Sequence, residues 1–185
     1  MGFSGAPVPS GTEEIINGGS ILYPRSSAFG SSESGALTSG TVYLTYWIAS
    51  ISQVITKIKT SVGGTAAAGL TTATIGIYSI DVNNNLALIA SIGNLAGTIW
   101  ITPFNSYIEA LNVPFVKQKG IRYAVGNLAI GATPPSLYGQ QYNSVLGADA
   151  PILAGTFPGQ ASLPSFIASA SVQNSFQICN LELLQ

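Results

Sequence analysis

The sequence contains no histidine, and Cys179 is its only cysteine. The usual ligands for zinc and most transition metals are therefore missing, and an intrachain disulfide is impossible. The Ser-His-Asp and Cys-His arrangements of nucleophilic catalysis are excluded on the same ground. Charge is scarce too. Six basic and seven acidic residues make up 7% of the chain and leave a net charge of −1, where an ordinary soluble domain carries about 25% charged residues. With no basic cluster the chain cannot neutralise a run of phosphates, so nucleic acid is not expected as a partner.

Long hydrophobic runs are also missing. Every charge-free stretch, including 150–181, is broken by polar residues, Gly or Pro before about 20 apolar residues accumulate, so no membrane insertion is expected. Met1-Gly2-Phe3-Ser4-Gly5-Ala6 has no basic region followed by an apolar one, and Ala6 stands where a myristoylation signal needs Ser or Thr. No Asn-x-Ser/Thr acceptor occurs. No cofactor is predicted.

What is present is 46% hydrophobic residues, 21 glycines, and 55 residues of Ser, Thr, Asn and Gln. Uncharged polar side chains thus replace charge at the surface. A chain of 185 residues fits one domain with a proper core. Residues 1–20, rich in Gly, Pro and Ser and carrying Glu13-Glu14, show no sustained pattern and are predicted to form an arm. The domain is expected to span 21–185.

Period-two patterning dominates from Thr41 onward. Val42, Leu44, Tyr46 and Ile48 alternate with Tyr43, Thr45, Trp47 and Ala49; both sets are apolar, so both faces of this strand are expected to be covered. Val54, Thr56, Ile58, Thr60 and Val62 alternate with Ile55, Lys57, Lys59 and Ser61, a half-buried strand with both lysines on its exposed face. Residues 63–71 are small and read as a loop. Strands over 72–80 and 86–92 are joined at Asp81-Val82-Asn83-Asn84-Asn85, residues that tolerate left-handed backbone. A short apolar stretch follows at 98–101. Residues 107–115 form a strand in which Pro114 marks a strand end or a sheet edge. Residues 121–130 form another, halted by Pro134-Pro135. A final strand pair is expected at 167–172 and 176–184. Trp47 and Trp100, among alternating apolar residues, are expected as core or interface anchors. Cys179 is expected as an inert, half-buried strand residue, with no neighbouring cation or base in sequence to lower its pKa. About eight to ten short strands punctuated by Gly, Pro and Asn predict an all-β antiparallel sandwich, jelly-roll-like, with a short extended N-terminal arm.

Catalysis would have to rest on carboxylates. The seven available are Glu13, Glu14, Glu33, Asp81, Glu109, Asp149 and Glu182; apart from the pair in the arm they are scattered singly, which favours solvated turn and strand positions over an acid–base pair. No enzyme is expected. Binding is the better reading. A neutral polymer such as a glycan is held by a flat aromatic face together with amide and hydroxyl groups. Tyr138, Gln140, Gln141, Tyr142 and Asn143 supply that chemistry in what reads as a loop around Gly139; an ordinary polar connection or subunit contact is the plainer alternative.

Several fragments carry a resemblance when taken in order: Ile21-Leu22-Tyr23-Pro24-Arg25-Ser26, the small-residue loop before Ile75-Gly76-Ile77-Tyr78-Ser79, Arg122-Tyr123-Ala124-Val125-Gly126, Tyr138-Gly139-Gln140, and Pro158-Gly159-Gln160 with Leu163-Pro164. Over roughly 21–184 the chain resembles the β-rich module of minor tail and tail-fibre proteins of actinobacterial phages. That resemblance implies a homotrimeric structural protein of the virion, exposed on the particle, in contact with host-surface glycan and without catalytic residues. The arm would then contact other virion proteins. A module preceded by a short arm also suits a capsid decoration protein that stabilises the head shell through that arm.

Overall fold

The computed structural model describes residues 15–16, 20–22, 32–141, 153–175 and 177–185. Strands β1 (Ile15–Ile16), β2 (Ser20–Leu22) and β3 (Ser32–Ala36) come first. The long strands follow: β4 (Thr41–Ile48), β5 (Gln53–Ser61), β6 (Ala68–Ile80), β7 (Leu86–Ser91), β8 (Ser106–Lys117), β9 (Arg122–Thr133) and β10 (Ser136–Gln141). Short strands close the chain: β11 (Ala154–Phe157), β12 (Phe166–Ile167), β13 (Gln173–Asn174), β14 (Gln177–Cys179) and β15 (Leu181–Leu184). Among the described residues there is no α-helix, only a single 3-10 turn at Ser169–Ser171.

The long strands pair in a nest. β6 pairs with β7, β5 with β8, β4 with β9 and β3 with β10, all antiparallel. This is the wiring of one long hairpin rolled up on itself, the jelly roll, and the fold is an all-β antiparallel sandwich. One sheet has the order β12-β7-β6-β9-β4-β11-β13 and the other β1-β2-β15-β5-β8, with a three-stranded sheet β14-β10-β3 beside them. A bridge between Val62 and Leu137 links the continuation of β5 to β10.

The doubly apolar strand at 41–49 is the middle of this arrangement. From β4, Tyr43 and Trp47 enter the core between the sheets with Ile55, Ile58, Ile75, Ile77, Leu181 and Leu183. Val42, Leu44 and Tyr46 point the other way and pack with Tyr78, Ala124, Leu128 and Ile167. That second layer is closed by the chain after β11, which lays Phe157, Leu163 and Val172 against it. Gly76 and Gly126 make room for it: a Cβ on Gly76 would stand 2.6 Å from Leu88 Cδ1, and one on Gly126 2.8 Å from Val42 Cγ1.

The hairpin at 81–85 forms as its residues require. Asp81 Oδ1 accepts the backbone N–H groups of Asn83 and Asn85, both at 2.8 Å, its Oδ2 accepts Asn85 Nδ2 at 3.0 Å, and Asn84 takes the left-handed φ of 63°. Pro114 lies on β8, the last strand of its sheet, where a missing N–H costs no ladder bond. Trp47 and Trp100 are both buried in the core, and so is Cys179, fully rather than half.

Other expectations need correction. The half-buried strand does not alternate throughout: a bulge between Ile55 and Lys57 turns Ile55 inward and leaves Val54 exposed, while Ile58, Thr60 and Val62 keep the inward face. β6 begins at Ala68, inside the small-residue loop, because its extension pairs with the end of β9. Residues 98–101 form a turn with Trp100 at φ 62°. The final segments do not pair with each other. β12 joins β7, β13 joins β11, β14 joins β10, and β15 joins β2 and β5. Segments of two to four residues are satisfied by an existing strand edge, which raises the number of strands among the described residues to fifteen. Within the predicted arm, Ile15–Ile16 and Ser20 belong to the β1–β2 hairpin, which adds to β15; the rest of the arm lies outside the described residues.

The two-sided burial of β4 predicts a clear contrast. Leu44→Ala should lower unfolding stability by about 2–5 kcal/mol in urea titration, because Leu44 is fully buried. Val82→Ala, at a position 96% exposed, should change it by less than about 0.5 kcal/mol. Equal effects would contradict the packing described.

Candidate functional site

Of the residues expected to bind glycan, Tyr138, Gln140 and Gln141 stand on β10 rather than in a loop. The strand continues because both of its edges are used. Tyr138 is opposite Glu33 and Gly139 opposite Ser32 on β3, while Gly139, Gln140 and Gln141 are opposite Cys179, Ile178 and Gln177 on β14. Gly139 permits this. A Cβ there would lie 1.9 Å from the Ile178 carbonyl oxygen, so only glycine lets β14 approach. The Tyr138 carbonyl accepts Asn180 N–H at 2.8 Å, and Gln177 Nε2 donates to the Gly35 carbonyl across the sheet. Upstream, Ser136 is tied to Thr65 twice, its Oγ accepting Thr65 N–H at 2.9 Å and its own N–H donating to Thr65 O at 3.0 Å. Tyr138 is half-buried in the interior of β10. The side chains of Gln140 and Gln141, and all of Tyr142 and Asn143, lie outside the described residues.

A polar and aromatic cluster that the sequence reading did not single out sits at the opposite face of the seven-stranded sheet. The Arg122 guanidinium lies over the Tyr46 ring, 4.8 Å from its centroid, and Nη1 donates to Asn84 Oδ1 at 3.3 Å. Asn85 Oδ1 in the same turn accepts Ser169 N–H at 3.0 Å. The cluster therefore pins β4, β9, the β6–β7 turn and the chain covering the second layer to one another. Its signal in the sequence was weak: Arg122 is opposite Ile48, not Tyr46, so only a diagonal contact across β4 and β9 brings the pair together. On the inner face of the same strands, Trp47 stacks on Tyr123 at 5.4 Å, and Phe115 meets Tyr123 edge-on at 5.8 Å.

The described carboxylates are occupied separately. Asp81 is bound within its turn, held below the ordinary carboxylate range by the Asn85 side chain and by the N–H groups of Asn85 and Asn83. Glu182 pairs with Lys59 at 2.8 Å. Glu109 stands mid-strand on β8. Glu13, Glu14 and Asp149 lie outside the described residues, as does the side chain of Glu33. Among the described residues, no three of His, Cys, Asp and Glu gather where a metal ion could be held.

The buried phenols make stability depend on alkaline pH. Burial pushes Tyr46 up to about 12, against the opposing pull of Arg122, and burial pushes Tyr78 up as well. An unfolded chain loses these protons near pH 10. Between there and the folded values it holds fewer protons than the native state, so stability falls as pH rises. Below that window the contribution is complete. Thermal unfolding should therefore show no loss from these groups up to about pH 9 and a steep loss above about pH 10, shallower in Tyr46→Phe; identical slopes in the two proteins would contradict the burial of Tyr46. In comparisons with known proteins, no family model and no curated protein matches this chain.

Proposed function

We propose that the protein is a structural protein of a phage virion: a trimeric, surface-exposed tail module that attaches to host-surface glycan and works by binding and assembly rather than catalysis. The observation that carries this reading is the distribution of exposed apolar side chains on a sandwich otherwise starved of charge. Most of the large ones gather along β8 and its flanking loops, including Ile101, Phe104, Ile108 and Val116. Exposed apolar side chains gathered along one strand suit contact with another protein surface, and identical neighbours in a closed symmetric assembly are the commonest way for a chain to cover them.

The likeness to phage tail modules supports the same reading. Its fragments fall on β6 (Ile75–Ser79), β9 (Arg122–Gly126), β10 (Tyr138–Gln140) and the covering chain (Pro158–Gln160 and Leu163–Pro164). They are thus distributed over both layers of one fold. Tyr138, held within β10 beside Gly139, supplies the aromatic face that sugar stacking requires. Three copies of one weak site would give useful avidity without a deep pocket.

Light scattering on the purified chain is expected to give a trimer of about 57 kDa, three chains of 19.0 kDa each. Tyr138→Ala should keep that mass and lower retention on host cell-wall glycan at least about tenfold, a loss of about 1.4 kcal/mol in the binding of the trimer. A monomer at every concentration contradicts the trimer, and unchanged retention contradicts the role of Tyr138.

A further inference from the structure

We infer that the free edge of β8, with the face beside it, receives residues 1–14 of a second copy of this chain; the inference rests on the trimeric reading above. β8 is twelve residues long and ends its sheet, and among the described residues its backbone pairs with β5 alone. Such an edge is a ready template for one more strand. Pro114 interrupts only its far half, leaving Ser106–Ala110 free of proline.

The face beside this edge has a definite chemistry. Residues opposite each other on an antiparallel pair share a face. Val54 is opposite Val116, Lys57 opposite Ala110, and Lys59 opposite Ile108. Val54, Ile108 and Val116 are 49%, 55% and 57% exposed. Lys57 is exposed and has no ion-pair partner among the described residues. Lys59 on this face is paired with Glu182, Lys117 is buried, and Lys57 and Lys119 are the exposed cations of β5, β8 and the turn after β8. The region is thus positive in a chain whose net charge is −1. It suits an extended segment that is apolar and acidic.

Residues 1–14 have that composition: Phe3, Val8, Glu13 and Glu14, with no Lys or Arg, and Pro7 and Pro9 to disfavour a helix. They precede β1, which lies at the opposite edge of the same sheet from β8. Fourteen residues reach up to about 46 Å when extended, against about 19 Å for the width of five strands. Either the same copy or a neighbour is therefore within range. The route over the same copy must cross β2, β15 and β5 before it reaches the outer edge of β8. An approach from a neighbouring copy meets β8 and the lysines first. Passed from copy to copy, the contact is head-to-tail and, in the trimer proposed above, closes into a ring.

The test is the mass and cross-linking of the full chain against two kinds of variant. Deletion of residues 1–14 spares the β1–β2 hairpin and should reduce the trimer to single chains. Val116→Lys, at an exposed position, should raise the concentration needed for assembly at least about tenfold, or about 1.4 kcal/mol. Chains carrying Val8→Cys, mixed with chains carrying Ile108→Cys and oxidised, should form a covalent dimer. A trimer that survives the deletion overturns this inference and leaves the trimeric reading standing. A disulfide that forms only when both cysteines are in one chain, never between mixed chains, also overturns it. A full-length chain that is itself monomeric removes both.

Discussion

The pairing of β4 with β9, with apolar side chains on both of its faces, is the constraint from which the rest of this structure follows. A strand pair apolar on one side needs one covering layer; this one needs two. The five-stranded sheet supplies the first, through Ile55, Ile58, Leu181 and Leu183. The chain from Ala154 onward supplies the second by crossing over the outside of the seven-stranded sheet before it returns at β14 and β15. Each large side chain so buried contributes roughly 1.5–3 kcal/mol, which explains why so much of the C-terminal third is given over to covering rather than to regular strands of its own.

The two sheets therefore meet solvent differently. The seven-stranded sheet is sealed on its outer face by its own chain, with Arg122, Tyr46, Asn84 and Asn85 fastening the seal. The five-stranded sheet has no such cover among the described residues, and its face beside β8 keeps Val54, Ile108 and Val116 in water. On the proposed reading this asymmetry has a use: one side is finished within the chain, and the other is finished by assembly. Low overall charge fits both, since identical chains with a net charge of −1 repel one another little when packed closely.

Much of the architecture was legible in the sequence because alternation over eight or more residues marks a strand even where a bulge shifts its phase. The double apolar pattern at 41–49 announced the buried strand, the Asp81–Asn85 run announced its hairpin, and Pro114 announced an edge. The short strands after Ala154 were not legible in the same way: two to four residues cannot display a period, and their partners are chosen by which edges remain open. The bulge at Ile55 and Lys57 was hidden because nothing in β5 marks it: the extra residues lie on β8 between Ala110 and Phe115, where Pro114 reads equally well as a strand end or a sheet edge. Tyr138 and its neighbours were recognised by side-chain chemistry but misplaced in a loop, since the reason they stay extended is the space that Gly139 leaves for Ile178 on a distant strand. The Arg122–Tyr46 contact was missed because it is diagonal across two strands.

Amide hydrogen exchange, followed residue by residue at low and high protein concentration, tests the account most directly. It predicts that Val42–Trp47 and Tyr123–Leu128 are the slowest amides at every concentration, because two covering layers must open before they exchange, and that those amides of Ser106–Ala110 that point away from β5 become slow only as the protein is concentrated. Fast exchange in β4 and β9, or a β8 edge whose exchange is the same at all concentrations, would contradict it.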